Sequence, residues 1–278
     1  MTDPRAVHAP EAYDLLCELE ADLDVALPAD VLAIARKRVA MTLGAVPWEA
    51  PDEDDAVVDF AEQFVIDCTG VDLAPLVPRL GEALVPFVKA MWVLDLGLRT
   101  DLVLGRLFPD QVTARAVRPA AAEPLTFDPF LCAVARLDQV DPLTTELVRL
   151  RVARHHNCRL CKSLRTRAAM AAGGAEALYE QVESFESSDL SAEQKVALRI
   201  TESVIIRPES LDPATVAEAH ERFTDAQLVE VVLDIMRNSA NKVAVAFGAD
   251  APNVSEGLQV YDIAADGTMV FGEPLAVS

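Results

Sequence analysis

Apolar residues recur at intervals of three and four along nearly the whole chain, and that spacing confines it to a helical fold before anything else is weighed. The runs "VLAIARKRVAMTL", "DFAEQFVIDC", "TTELVRLRVARHH" and "AQLVEVVLDIMRNSANKVAVAF" each lay an apolar stripe along a helix. Ala and Leu are abundant and aromatic residues make up only 5%, which favours helix over strand. Strand patterns are nearly absent before residue 251. Beyond it, "LQVYDIAADGTMVFGEP" holds two short β-prone runs around an Asp266-Gly267 turn signal, so a hairpin is expected in a C-terminal tail at 251–278. Asp30 and Ser191 stand where helix caps are needed, and Ser191 with Gln194 fits a capping box. Residues 109–130, enriched in Pro and Ala, read as a linker.

With 278 residues, 51% of them hydrophobic, the chain can bury one large core or two domain-sized ones. Its formal charge of −21 argues against nucleic acid as a partner, since phosphate backbones demand clustered Lys and Arg. No stretch reaches the roughly 18 to 20 apolar residues of a membrane helix, and "MTDPRAVHAPEAYD" lacks a basic start followed by an apolar run. A cytoplasmic protein without a membrane partner is therefore expected. Five cysteines are too few and too scattered for a secreted disulfide framework. Three of them, Cys17, Cys68 and Cys132, lie in apolar helical patterns and read as small core residues.

Two parts of the chain can be laid over one another. The segment 59–105, opening with "DFAEQFVIDCTGVDLAPL", aligns with the segment 199–248, opening with "RITESVIIRPESLDPATV"; Glu62 falls over Glu202 and Val88 over Leu228 at an offset of 140. Upstream, Arg38 lies over Arg151 and Val39 over Val152 at an offset of 113. The difference of 27 residues is an insertion in the second half, and it begins at "CRLC". A duplicated helical chain is expected, with an N-terminal repeat at 1–118 and a C-terminal repeat at 119–250. Ala33 stands in the place of Glu146 and Ala45 in that of Cys158, which leaves any chemistry to the second repeat.

That chemistry centres on "RHHNCRLCKSLRTRAAMAAGG", residues 154–174. A CxxC pair has three readings: a redox dithiol, half of a zinc site, or packing. A structural zinc site needs four ligands, and no second CxxC or His pair at ligand spacing exists. His155 and His156 are adjacent and would point to different sides of a helix. No metal or other cofactor is expected. For the redox reading, Asn157 is a suitable N-cap, which would put Cys158 in the first turn of a helix running to Gly173-Gly174. There the dipole favours a thiolate, and Arg159, Lys162, Arg165 and Arg167 would add positive potential. Cys161 follows one turn later, within disulfide reach. Further on, Asp234, Asn238 and Asn241 share a helical face, and Glu202 precedes them.

"TTELVRLRVARHHNCRLCKSLRTRAAMAAG" resembles the signature of the carboxymuconolactone decarboxylase and AhpD-like superfamily, whose redox branch has a glutamate, twelve residues, a Cys-x-x-Cys and a histidine four residues later. Glu146 precedes Cys158 by twelve, and both cysteines match. "SAEQKVALRITESVI" and "FTDAQLVEVVLDIMRNSANKVAVAFG" are similar to that family's later helices. The resemblance implies an all-α, AhpD-like fold that assembles into dimers or trimers. It also implies reduction of a hydroperoxide, with Cys161 as the attacking thiol, Cys158 as the resolving thiol, Glu146 in a proton relay and an external dithiol as electron donor.

The departure is at the relay histidine, where this chain has Arg165, a residue that stays protonated near neutral pH. A helix ending near His156, a reversal at Asn157 and a second helix running back would bring Arg165 to Glu146, so an ion pair between them is expected. His155 or His156 would then be the replacement proton carrier, or else a cation at a helix C-terminus. Two other readings stand beside the peroxidase: a non-redox enzyme of the same superfamily such as a lactone decarboxylase, and a binding or assembly protein without turnover.

Overall fold

The structure, a computed structural model, describes residues 2–49, 55–111, 115–120 and 125–275. It is mostly helical. The first half holds α1 (Pro4–His8), α2 (Pro10–Ala26), α3 (Ala29–Thr42), α4 (Ala56–Ile66), α5 (Val77–Leu80) and the long α6 (Leu84–Leu107). The second holds α7 (Asp128–Ala135), α8 (Pro142–His155), α9 (Arg159–Lys162), α10 (Arg167–Ala171), α11 (Glu176–Tyr179), α12 (Ala192–Ile206), α13 (Pro213–Arg222), α14 (Asp225–Asn238) and α15 (Asn241–Ala246). A small sheet completes the fold: β1 (Leu164–Thr166) runs parallel to β2 (Gln259–Ile263), which pairs antiparallel with β3 (Met269–Pro274).

Local signals account for many of these boundaries. Ser191 and Gln194 form the expected capping box at the start of α12, and Thr224 with Gln227 forms another at α14. Pro142 follows the Asp141 cap of α8, whose carboxylate accepts from the N–H groups of Leu143 and Thr144. Asp30 is not a cap: α3 begins one residue earlier, and Asp30 sits in its first turn, where a carboxylate still complements the dipole. The expected linker at 109–130 lies partly outside the described residues. Its described part is irregular up to Phe127, after which α7 begins, and Arg115 ties it to Glu20 and Asp101 at 2.6 and 2.9 Å.

One hydrophobic core runs from α2 through α4 and α6 to α12 and α14, so the two halves share an interior. A smaller cluster of Leu147, Leu150, Tyr179, Val182, Phe185 and Leu198 seats the segment after the cysteines on the outer faces of α8 and α12. Trp92 of α6, fully buried, donates its indole N–H to the Met236 carbonyl of α14 at 3.2 Å. Within the halves, α3 packs on α4 and α8 on α12. Arg38 makes an ion pair with Glu62 across the first helix pair, and Arg151 bonds Glu202 at 2.7 Å across the second.

The long helix expected after the cysteines is broken. Only one turn, α9, forms before the chain straightens into β1, and α10 restarts at Arg167 with Thr166 as its cap. The cause is distant in sequence: β1 is claimed by the tail, with Arg165 opposite Val260 and Thr166 opposite Tyr261. The expected hairpin is present, and its turn is pressed against α7. Gly267 has φ +88°, and a Cβ there would lie 2.1 Å from the Cys132 carbonyl oxygen, so glycine serves both the turn and the close approach.

Candidate functional site

Asn157 turns the chain at the end of α8 with φ 53°, in the left-handed region that Asn tolerates. The N-cap of α9 is therefore Cys158, not Asn157: its Sγ accepts the Cys161 N–H at 3.1 Å. A one-turn helix carries little macrodipole, so the expected electrostatic help from a long helix is absent. The remaining N-terminal N–H groups are met by Asp250, whose carboxylate accepts from Arg159 N at 2.8 Å and whose carbonyl accepts from Leu160 N at 2.8 Å. The two cysteines are joined as a disulfide, with Cα atoms 5.3 Å apart.

Their surroundings differ. Cys158 is 1% exposed, whereas Cys161 is half-buried and opens onto a cleft of about 410 Å³. Leu131 and Cys132 of α7, Arg237 and Asn238 at the end of α14, Asn241, and Thr268 and Met269 of the hairpin line that cleft with it. Cys17 and Cys68 are buried as expected, but Cys132 is only half-buried and faces the same cleft. Burial pushes the Cys68 thiol up to about 11, against the partial relief of Lys242.

A polar chain leads inward from Cys161. Asn241 Nδ2 lies 3.6 Å from Cys161 Sγ, and Asn241 Oδ1 lies 2.9 Å from His156 Nδ1. With the amide in this orientation Oδ1 accepts, so Nδ1 carries the imidazole proton. His156 is held well below its usual pKa by burial, then by Lys242 and His155, and is neutral near pH 7. His155 is lowered to about 4 by burial, then by Arg151 and Lys242. Its ring sits 5.2 Å from that of His156, and no hydrogen bond links it to the cysteines. His156, not His155, is the histidine in line with Cys161. Neither is the cation of a helix C-terminus.

The expected Glu146–Arg165 ion pair does not form. Glu146, fully buried, is held bidentately by Arg149 with both bonds at 2.7 Å. Arg149 also donates to the carbonyls of Cys161 and Leu164 at 2.7 Å, so Glu146 acts on the cysteine turn by fixing the residue that grips its backbone. Arg165 turns to Glu176, at 2.6 and 2.7 Å; β1 does run back beside Glu146, but it is the Thr166 N–H, at 3.4 Å, and not the Arg165 side chain that meets the carboxylate. Expected positive potential around the pair is likewise met locally: Arg159 pairs with Asp250, Arg167 with Asp262, and Lys162 donates to Asn157 Oδ1.

Asp234, Asn238 and Asn241 do not share one helix, since α14 ends at Asn238 and α15 begins at Asn241. Glu202 is occupied by Arg151. Asp234 lies one turn deeper than Asn238, and burial pushes its carboxyl up to about 8, with Arg237 opposing and Glu230 reinforcing the shift. A raised carboxyl adds stability below the unfolded pKa of about 4 that is lost as pH rises through about 8. Asp234→Asn is therefore expected to gain about 1–3 kcal/mol over the parent at pH 8.5 and little at pH 4. Urea denaturation at both pH values checks this, and an equal effect at the two would show an ordinary carboxylate.

Sequence reasoning does not single out Arg149, Asp250 or Tyr261. Arg149 has a local signal, three residues after Glu146 on one helix face. Asp250 has none. Tyr261, 2% exposed on β2, places its ring 5.6 Å from the Arg149 guanidinium. Among the described residues no three His, Cys, Asp or Glu side chains gather as they would around a metal ion, and no helix is long and apolar enough to cross a membrane.

Relatives of this chain exist in bacteria. It is 41% identical over 250 residues to the uncharacterized protein Rv2313c of Mycobacterium tuberculosis H37Rv, an alignment spanning 84% of this chain and 88% of that one. The uncharacterized protein MT2376 of strain CDC 1551 matches equally. The chain belongs to the family of these mycobacterial proteins. A shorter likeness, 28% identity over 112 residues, covers 39% of this chain and 76% of the uncharacterized protein YdfG of Bacillus subtilis. No family model and no solved structure matches it.

Proposed function

We propose that the protein is an AhpD-like, thiol-dependent hydroperoxide reductase of the cytosol, working through Cys158 and Cys161. The observation that carries this reading is the asymmetry of the pair: one sulfur buried, the other open to a cleft large enough for a small molecule. In the reduced protein the Cys161 thiolate attacks the distal oxygen of ROOH. The O–O bond breaks, Cys161 becomes a sulfenic acid, and the alkoxide takes up a proton to leave as ROH. Cys158 then attacks the sulfenic sulfur, the S–S bond forms and water departs. An external dithiol returns two electrons and two protons and leaves as a disulfide.

The amide of Asn241 supports negative charge on Cys161, and neutral His156 orients that amide. Arg165, facing Glu176, is outside the reaction in this reading, and Glu146 positions the cysteine turn through Arg149 rather than moving protons. The matching Arg38–Glu62 and Arg151–Glu202 pairs support an origin by duplication, with the first repeat lacking the CxxC pair. Assembly into a dimer or trimer belongs to the same reading.

The test is stoichiometric. Protein reduced, freed of reductant and given one equivalent of cumene hydroperoxide is expected to lose two thiols together, with a Cys158–Cys161 disulfide in the peptide map. Loss of neither cumene hydroperoxide nor its para-carboxylate faster than in protein-free buffer would overturn the proposal.

A further inference from the structure

The cleft beside Cys161 contains a cation with unusual freedom. In a chain of net charge −21, carboxylates are in excess. Nearly every arginine is paired with one. Among the described residues Arg106, Arg207 and Arg237 are the arginines without an ion pair. The first two are exposed, and Arg106 donates to the Glu209 carbonyl. Arg237 is half-buried and lines the cleft that exposes Cys161. Its Nε donates to the Leu131 carbonyl at 3.1 Å, which fixes the plane of the guanidinium, while its two terminal nitrogens bond no described residue.

A guanidinium held by Nε with its other edge vacant is preorganised for a planar anion, because two parallel N–H groups match a carboxylate. Much of the remaining wall is apolar or sulfur-bearing: Leu131, Cys132 and Met269. The carboxylate in the lining, Asp128, is exposed at the start of α7, where water screens it. Volume, apolar wall, anion clamp and nucleophile therefore occur in one cleft of about 410 Å³.

We infer that the substrate is an organic hydroperoxide with an apolar body and a carboxylate, the carboxylate docking on Arg237 while the peroxide meets Cys161. This rests on the redox reading above and adds a substrate class to it. Arg237 is then a specificity residue for the same two-electron reduction of ROOH to ROH.

Two hydroperoxides of matched shape separate the possibilities: cumene hydroperoxide and its para-carboxylate, each mixed with prereduced protein in single turnover, so that no reductant competes for the cleft. The parent protein is expected to favour the carboxylate roughly ten- to a hundredfold, the worth of a charge-assisted pair. Arg237→Gln is expected to remove most of that preference and Arg237→Lys to keep part of it. Equal rates for both compounds in the parent would overturn the inference and leave the redox reading standing. So would an equal loss on both in Arg237→Gln, which would mark a structural role.

A second readout does not depend on turnover. The unreactive product 4-(2-hydroxypropan-2-yl)benzoate is expected to bind the disulfide form in calorimetry, with the affinity lost in Arg237→Gln. Absence of binding in the parent would overturn the inference. If neither hydroperoxide is consumed, the redox reading falls and this substrate assignment falls with it.

Discussion

Cys161→Ser is expected to lower hydroperoxide turnover by roughly a thousandfold or more, because a hydroxyl in place of the thiolate removes the nucleophile itself. Cys158→Ser should behave differently. Cys161 still opens on the cleft in that variant, and a serine hydroxyl at the cap can still accept the Cys161 N–H now bound by Cys158 Sγ at 3.1 Å. One equivalent of hydroperoxide is then consumed and the reaction stops, with a sulfenic acid on Cys161 that dimedone traps. Stopped-flow consumption and mass spectrometry of the adduct check both variants. The reverse pattern, with the first step abolished in Cys158→Ser and a dimedone adduct on Cys158 in Cys161→Ser, would exchange the two roles.

Asp95→Asn is expected to cost about 3–5 kcal/mol of stability. Asp95 is fully buried on α6 and holds two cations at once, Arg99 at 2.6 Å and Lys242 at 2.5 Å. An amide in its place leaves both cations buried without a countercharge. Lys242→Met should cost far less, about 1 kcal/mol, since Asp95 and Arg99 remain paired and Arg99 keeps its bonds to the carbonyls of Val65 and Val204. Burial already lowers the Lys242 pKa, so removing the ammonium relieves an unfavourable desolvation. Urea denaturation of both variants measures the contrast. Equal losses would mean that Lys242, not the Asp95–Arg99 pair, is the group that matters. Lys242 also adjoins Asn241, so the first half of the chain reaches the cleft through this carboxylate.

Most helices are legible in the sequence because their signals are local. The Ser191–Gln194 box and the Asp266-Gly267 turn each need only a few neighbouring residues, and both are found where expected. "LRTRAAMAA" misleads for the same reason: every residue in it tolerates a helix, and nothing nearby reports that a strand almost a hundred residues later will claim Leu164–Thr166. Once that helix is broken, the Thr166 N–H rather than the Arg165 side chain meets Glu146, and Arg165 pairs with Glu176. Cys158, Cys161 and His156 are legible as a group. The link between them, Asn241, reads in sequence only as part of a helical face, because its use depends on the break between α14 and α15.

The pairing of β1 with β2 also sets an order of events during synthesis. Cys161 leaves the ribosome about a hundred residues ahead of the strand that fixes β1 and of the hairpin that walls the cleft. At translation rates of about 5–20 residues per second that interval is about 5–20 seconds. For that time the nascent chain carries two thiols three residues apart with neither Asp250 nor the hairpin against them. Closure of the disulfide within that interval would need only the four-residue turn itself, before any of the groups that later surround it are in place.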